Sequence, residues 1–192
     1  MENSTFLASD YEKEQIDAIK KILRVYFSGD IEFSKNFSEL KPNIDNQKLK
    51  EVLNELDENI NRDDLIRYVN DINIMAYNEE NKLCFMYDAN RKFTKERKIA
   101  LENYPRDKNY GFCIEKWINK CDSILSNSSS DLQNAIYSTM LDICSEEMGI
   151  LVVRICEDDF DWTDDHAMEK LNEIVSNIRK GDFFNESYIS SR

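Results

Sequence analysis

The sequence predicts a mainly α-helical fold: a single-domain bundle of about six or seven helices with a small two-stranded β element, or an α+β fold as the alternative. Proline and glycine are scarce, with two and four residues in a chain of 192, whereas a many-stranded barrel needs frequent turn residues. Apolar residues make up 41% of the chain. In most segments they recur at the three- and four-residue spacing of an amphipathic helix.

A chain of this length fits one domain, and no internal repeat or linker divides it. We expect a flexible N-terminus over residues 1–8, one helical domain over 9–182 and a frayed tail over 183–192.

The first helix is expected to begin at Ser9, which can form an S-x-x-E capping box with Glu12, and to end at Gly29. Residues 30–44 are predicted to be a connector. A second helix starts near Asp45, and a third is capped by Asn61 and carries an apolar face that extends to Met75. The short break between the second and third helices indicates an antiparallel helical hairpin.

Two short segments have strand character. In residues 82–87, Leu83, Phe85 and Tyr87 alternate as in a strand and follow a turn-like stretch, and residues 150–156 are rich in β-branched residues. Between them we expect a helix over 89–103, an amphipathic helix over 114–125, a polar loop over 126–131 and a helix that Gly149 interrupts. A final helix is predicted to begin at Thr163, with Asp164 and Asp165 in its first turn.

The net charge of −13 makes nucleic-acid binding unlikely on electrostatic grounds and favours a partner protein with a basic surface. The alternative interpretation is that the acidity serves only to keep the protein soluble. The five cysteines have no disulfide or metal-site spacing and are expected to be reduced thiols. The N-terminus lacks the features of a signal peptide, and no segment has the length of a membrane span. We therefore expect a cytoplasmic protein with no membrane association.

The densest acidic tract, residues 157–166, contains six acidic residues and neither lysine nor arginine. It lacks the glycine and the ligand phase of a Ca²⁺ loop, so no metal site is predicted. The tract is interpreted either as a charged helix N-terminus or as an acidic, aromatic surface that binds a basic partner. The residues of that partner-binding surface are Glu157, Asp158, Asp159, Phe160, Asp161, Trp162, Asp164 and Asp165.

A basic tract over residues 91–98 is the exception to the overall acidity. Its cations are Arg91, Lys92, Lys95, Arg97 and Lys98. They are interpreted either as a contact patch for a phosphate backbone or as a solvated helix face that pairs with acidic neighbours. The two charged tracts could also pair with each other, within one chain or across a homo-oligomer.

No catalytic residue or cofactor is predicted. His166 is the only histidine, and its expected place in the first turn of a surface helix argues against a role as a base. The four glycines are isolated, so neither a dinucleotide-binding nor a Walker motif can be drawn. Trp117 lies in phase with an apolar stripe and is expected in the core.

Three functions remain open on the sequence. The leading hypothesis is a non-catalytic, acidic protein-interaction module, acting as an inhibitor similar to immunity proteins or as an accessory subunit of a larger complex. The first alternative is a metal-assisted hydrolytic enzyme whose carboxylates converge only in the fold. The second is a nucleic-acid-associated protein or a nucleic-acid mimic.

Overall fold

A computed structural model describes residues 9–124 and 131–180, with side-chain detail ending at residue 178. Within these ranges the chain forms helices α1 Asp10–Tyr26, α2 Gln47–Leu56, α3 Arg62–Asp71, α4 Lys95–Glu102, α5 Ile114–Ile124, α6 Asp131–Glu147 and α7 Ala167–Lys180. The strands are β1 Glu32–Asn36, β2 Asn73–Asn78, β3 Leu83–Asp88 and β4 Leu151–Cys156. Two 3-10 turns, Phe37–Leu40 and Asn90–Lys92, complete the set.

The four strands form one sheet in the order β1-β2-β3-β4. The pairs β1–β2 and β2–β3 are antiparallel. Strand β4 returns parallel to β3, in a register that places Leu83 opposite Leu151 and Asp88 opposite Cys156. The connection between these two strands contains α4, α5 and α6, as expected for a parallel crossover.

The sheet lies between two layers of helices. Side chains of β3 and β4 alternate between the two faces, because successive residues of a strand point in opposite directions. One face, with Phe85 and Val153, packs against α1 and α7. The other, with Cys84 and Val152, packs against helices α2 to α6. The protein is therefore mainly α-helical with a small sheet, as predicted, but the sheet has four strands instead of two.

The third predicted helix is too long. Asn61 caps α3 with a capping box, as expected, but the helix ends at Asp71 and residues 73–78 form β2. These residues pair with strands on both sides, and the inter-strand hydrogen bonds replace those of a helix. The predicted connector 30–44 likewise contains β1, which forms the edge of the sheet.

At both charged tracts the helix begins later than predicted. The helix expected over 89–103 opens with the 3-10 turn Asn90–Lys92, and α4 starts only after Thr94, which caps it. The final helix begins at Ala167 and not at Thr163. Residues 157–166 are consequently a loop between β4 and α7, which we call the acidic loop.

The segment that contains Gly111 covers the outer edge of β4. Its segment lies against that strand, and Val152 donates its backbone N–H to the carbonyl of Tyr110 at 3.1 Å. Gly111 has φ +82°, and a Cβ built on it would lie 2.8 Å from the nitrogen of Val152. Only glycine fits this close approach without distortion.

All five cysteines lie in the described ranges as free thiols, four of them buried. Over those same ranges, none of the helices combines the length and the apolar character that crossing a membrane requires. The predicted N-terminal segment 1–8, the polar loop residues 126–130 and the tail 183–192 lie outside the described residues.

Candidate functional site

The register of β3 and β4 brings the acidic loop to one end of the sheet. Because the two strands are parallel, the segments that follow them, residues 89–92 and 157–166, leave the sheet at the same edge. The first turns of α1 lie at this edge too, through contacts of Glu12 and Gln15 described below. We call the surface formed by the acidic loop and residues 10–17 the acidic end.

Gln15 attaches the acidic loop to α1. Its side chain is 1% exposed. It donates from Nε2 to Oδ1 of Asp161 at 2.8 Å and accepts the backbone N–H of Trp162 at 2.7 Å. Asp161 also accepts from the backbone and hydroxyl of Thr163, and these bonds lower the pKa of its carboxyl, with that of Gln15 contributing most.

Asn90 and Arg91 complete the link between the segments. The backbone N–H of Asn90 donates to Glu157 at 2.7 Å, and its side chain donates to Asp158 at 3.0 Å. Arg91 pairs through both terminal nitrogens with Glu12. The predicted capping box is therefore only half formed: Ser9 caps the Glu12 amide at 3.0 Å, while the Glu12 carboxylate binds Arg91.

The carboxylate of Asp159 pairs with two lysines of α5. Lys116 of α5 donates to it at 2.5 Å, and Lys120 lies 3.4 Å away. With these contacts the acidic loop is held by α1, by α5 and by the turn after β3. It therefore presents its remaining carboxylates from a fixed backbone.

The predicted partner-binding residues separate into two groups. Asp158, Asp161, Asp164 and Asp165 are exposed, whereas Glu157, Asp159 and Phe160 are partly buried. Trp162 is 2% exposed and packs with α1 and α7 in the core. Its assignment to an exposed interface is corrected, because the turn that Gln15 fixes points the indole inwards.

Tyr11 is the exposed aromatic side chain at the acidic end. It is 46% exposed. Partial desolvation raises the pKa of its phenol, and the carboxylates of Asp161, Glu157, Asp158 and Glu14 raise it further. The sequence did not predict a role for Tyr11, because it lies 146 residues or more from the acidic loop along the chain.

His166 lies on the surface just before α7. Its side chain is 73% exposed, and Nδ1 lies 3.2 Å from Glu169. This position matches the predicted surface residue, although the helix begins one residue later than His166.

The basic tract does not form one exposed surface. Arg97 is 3% exposed and buried among side chains of α4 and α6. Lys98 pairs with Asp122 at 2.6 Å, and Arg91 is held by Glu12. Of the five cations proposed as a contact patch, Lys95 alone is classed as exposed. The tract instead supplies cations to intramolecular pairs, of which the Arg91–Glu12 pair lies at the acidic end.

A buried ionic network adjoins the basic tract. Arg154 of β4, 5% exposed, donates from Nη1 to both oxygens of Asp88 at 2.8 and 2.9 Å. Through Nε and Nη2 it also binds Asp142 of α6 at 2.9 and 2.7 Å. Arg97 donates to the other oxygen of Asp142 at 2.7 Å, and Trp117, a core residue as predicted, donates to Asp88 at 2.8 Å.

The network determines the charge state of Asp88. Burial opposes its ionisation, but Arg154, Lys92 and Arg97 outweigh that effect and hold its pKa well below the ordinary value. Such a pair is costly to break, because one partner would remain charged and buried.

Among the residues described, no group of three or more histidine, cysteine or acidic side chains is arranged to hold a metal ion. Comparisons with protein-family models, with curated proteins and with solved structures gave no match.

Proposed function

We propose that this protein is a non-catalytic interaction module that binds a basic surface of another protein through its acidic end. The observation that carries the proposal is a set of exposed carboxylates near the exposed ring of Tyr11, on a loop that hydrogen bonds attach to its neighbours. The acidic loop contributes six acids without a lysine or arginine, and residues 10–17 contribute four acids and one lysine. Arg91, Lys116 and Lys120 pair with acids of this surface, so the acidic end keeps a balance of −6 out of the net charge of −13.

The fixed backbone of the acidic loop supports binding. Ordering a loop at an interface costs free energy, so a loop that is already ordered binds more tightly with the same contacts. The bonds of Gln15 and Asn90 to this loop supply that order. The carboxylates that remain exposed then attract a cationic partner and accelerate its association at low salt.

Tyr11 supplies the apolar component that charge alone lacks. Interface energy is concentrated in a few residues, and tyrosine is enriched among them. A ring that is 46% exposed among carboxylates can bury its apolar face against a partner while its hydroxyl stays hydrated.

Within this class, we propose an inhibitor similar to immunity proteins or an accessory subunit. The two differ in the effect on the partner: an inhibitor abolishes the activity of a basic enzyme, and an accessory subunit leaves it intact or increases it.

The experiment is capture of partners from the native host on the immobilised protein at low salt, followed by elution with a salt gradient. The proposal predicts one basic protein in stoichiometric amount, released as the salt rises and rebinding when purified. Its activity, assayed with and without this protein, separates the inhibitor from the subunit. Recovery of no protein that rebinds in purified form would contradict the proposal.

A further inference from the structure

A cavity of about 110 Å³ lies between α6 and the sheet, on the face opposite to α1 and α7. Its wall includes Asp71, Met86, Lys92, Tyr137, Ser138 and Arg154. One buried water needs roughly 10–15 Å³ measured in this way, so the cavity has room for several waters or a small ligand. It is smaller than the roughly 300 Å³ at which pockets for drug-sized ligands begin.

The charges behind this cavity do not balance. The buried network contains the cations Arg97, Arg154 and Lys92 and the carboxylates Asp88 and Asp142. Three positive groups therefore face two negative ones. Arg97 lies on the far side of Asp142, where its second nitrogen donates to Tyr104 at 2.7 Å, so the excess positive charge lies at the cavity, on Lys92 and Arg154.

Lys92 lines the cavity and has an N–H group without an acceptor among the residues that the structure describes. Its ammonium donates to the carbonyl of Tyr87 at 2.6 Å and lies 3.5 Å from Asp88, which leaves one of its three N–H groups for a further acceptor. Its side chain is 27% exposed, so the cavity can exchange with solvent beside it. Burial lowers the pKa of Lys92 against the attraction of Asp88, as expected for a cation that lacks a full counter-charge.

The other acid of the cavity wall does not supply that counter-charge. Asp71 is exposed, and its carboxylate accepts the hydroxyl of Tyr137 at 3.0 Å. A carboxylate in contact with water is screened from groups in the interior.

We propose that this cavity binds a small oxyanion, a carboxylate or a phosphate group, through the ammonium of Lys92. Arg154 contributes its positive charge, because its N–H groups already donate to the two carboxylates of the network and to the carbonyl of Ser138. The charge of the ligand completes the network, and Ser138 lines the cavity as a further polar side chain. None of the residues that line this cavity belongs to the acidic end, and the proposal does not depend on the proposed function.

The first test uses sodium acetate and sodium phosphate as probes, with sodium chloride at matched ionic strength as the reference. A ligand of the folded state raises the thermal midpoint in a saturable manner. The matched variants are Lys92→Met and Lys95→Met. Both remove one lysine of the same tract, but Lys95 is exposed and outside the cavity wall. Lys92→Met leaves two cations against two carboxylates, so it is expected to fold.

We expect the wild type and Lys95→Met to show the same saturable rise with at least one probe. In Lys92→Met the apparent affinity should fall roughly tenfold or more, because a charge-assisted hydrogen bond is lost. The anion with the lower half-saturation identifies the preferred chemistry. An equal rise in both variants would be a general salt effect on stability and would overturn the proposal, as would no rise at all.

A second measurement is independent of stability. Met86 lines the cavity, whereas Met140 is fully buried and is not one of the lining residues. In a methyl NMR titration with acetate or phosphate, the Met86 signal should shift and saturate while that of Met140 stays in place. Shifts of equal size at both methyls, or at neither, would contradict binding in this cavity.

Discussion

Gln15 in the first helix donates a hydrogen bond of 2.8 Å to Asp161, 146 residues further along the chain. The same side chain accepts the backbone N–H of Trp162 at 2.7 Å. The buried amide of Gln15 thus holds both the side chain of Asp161 and the backbone of the acidic loop at Trp162.

Replacement of this amide tests its structural role. Gln15→Leu keeps the approximate volume and leaves the buried N–H of Trp162 without its acceptor. We expect a loss of about 1–3 kcal/mol in the free energy of unfolding, measured by urea denaturation, and faster amide exchange across 157–166. Gln47→Leu, at an exposed helical position, should change stability by no more than about 0.5 kcal/mol. Equal effects of the two substitutions would show that Gln15 does not fix the loop.

The ionisation of Asp88 predicts how stability depends on acid. Its pKa is lower in the folded protein than its ordinary value of 3.8. The stabilisation is therefore complete above that ordinary pKa and is lost as the pH falls towards the folded pKa. The free energies of unfolding of wild type and Asp88→Asn should differ by a constant amount from pH 5 to 7 and converge below about pH 4. A difference that is the same at pH 2.5 and pH 7 would contradict this account.

Alanine substitutions at two glycines with similar backbone conformations separate the effect of steric overlap on stability from that of backbone strain. Gly111 has φ +82° and lies against Val152, whereas Gly29 has φ +88° and open space around its Cα. Gly29→Ala should cost about 1–2 kcal/mol from the left-handed backbone alone. Gly111→Ala should cost clearly more, because its Cβ would overlap the edge of β4. Chemical denaturation of both variants measures the difference, and equal losses would mean that the segment around Gly111 moves away from β4 freely.

Tyr11 is predicted to anchor the partner of the acidic end. Tyr11→Ala should weaken that binding about tenfold, in keeping with the loss of a moderate interface anchor. Val25→Ala is the matched control, because Val25 is an exposed apolar residue at the opposite end of the same helix. Calorimetry of each variant with the purified partner measures the effect. If both substitutions act alike, the ring of Tyr11 has no special role.

Local patterns in the sequence predicted most of the helices but could not predict where α3 ends or where α4 and α7 begin. Residues 72–77 are mostly apolar, and such a short run fits either a helix face or a strand. Pairing with β1 and β3 decides for β2, and that pairing is a long-range contact. The start of α7 was misplaced for a related reason. Threonine is a common helix cap, but the backbone N–H and the hydroxyl of Thr163 donate to Asp161 in a turn before the helix.

The candidate site was predictable in its charge and not in its geometry. Six acids in ten residues mark the acidic loop, but nothing local distinguishes the buried Trp162 from the exposed Tyr11. Arg97 shows the same limit, since its partner Asp142 lies 45 residues away. A periodicity analysis finds faces of helices, whereas the partners that bury a charge come from other elements.

The central claim is tested most directly by charge reversal at the acidic end. The variant Glu14→Lys, Asp17→Lys, Asp165→Lys changes three exposed acids there and leaves the bonds of Gln15 and Asn90 to the acidic loop in place. The control variant Glu55→Lys, Glu58→Lys, Asp63→Lys makes the same change in net charge at exposed positions around α2 and α3. The measurement is the dissociation constant for the purified basic partner at low salt. We predict that the first variant loses roughly 100-fold in affinity, about 1 kcal/mol for each reversed charge, while the control stays within a few-fold of the wild type. Equal losses in both variants, or undiminished binding by the first, would contradict the acidic end as the binding surface.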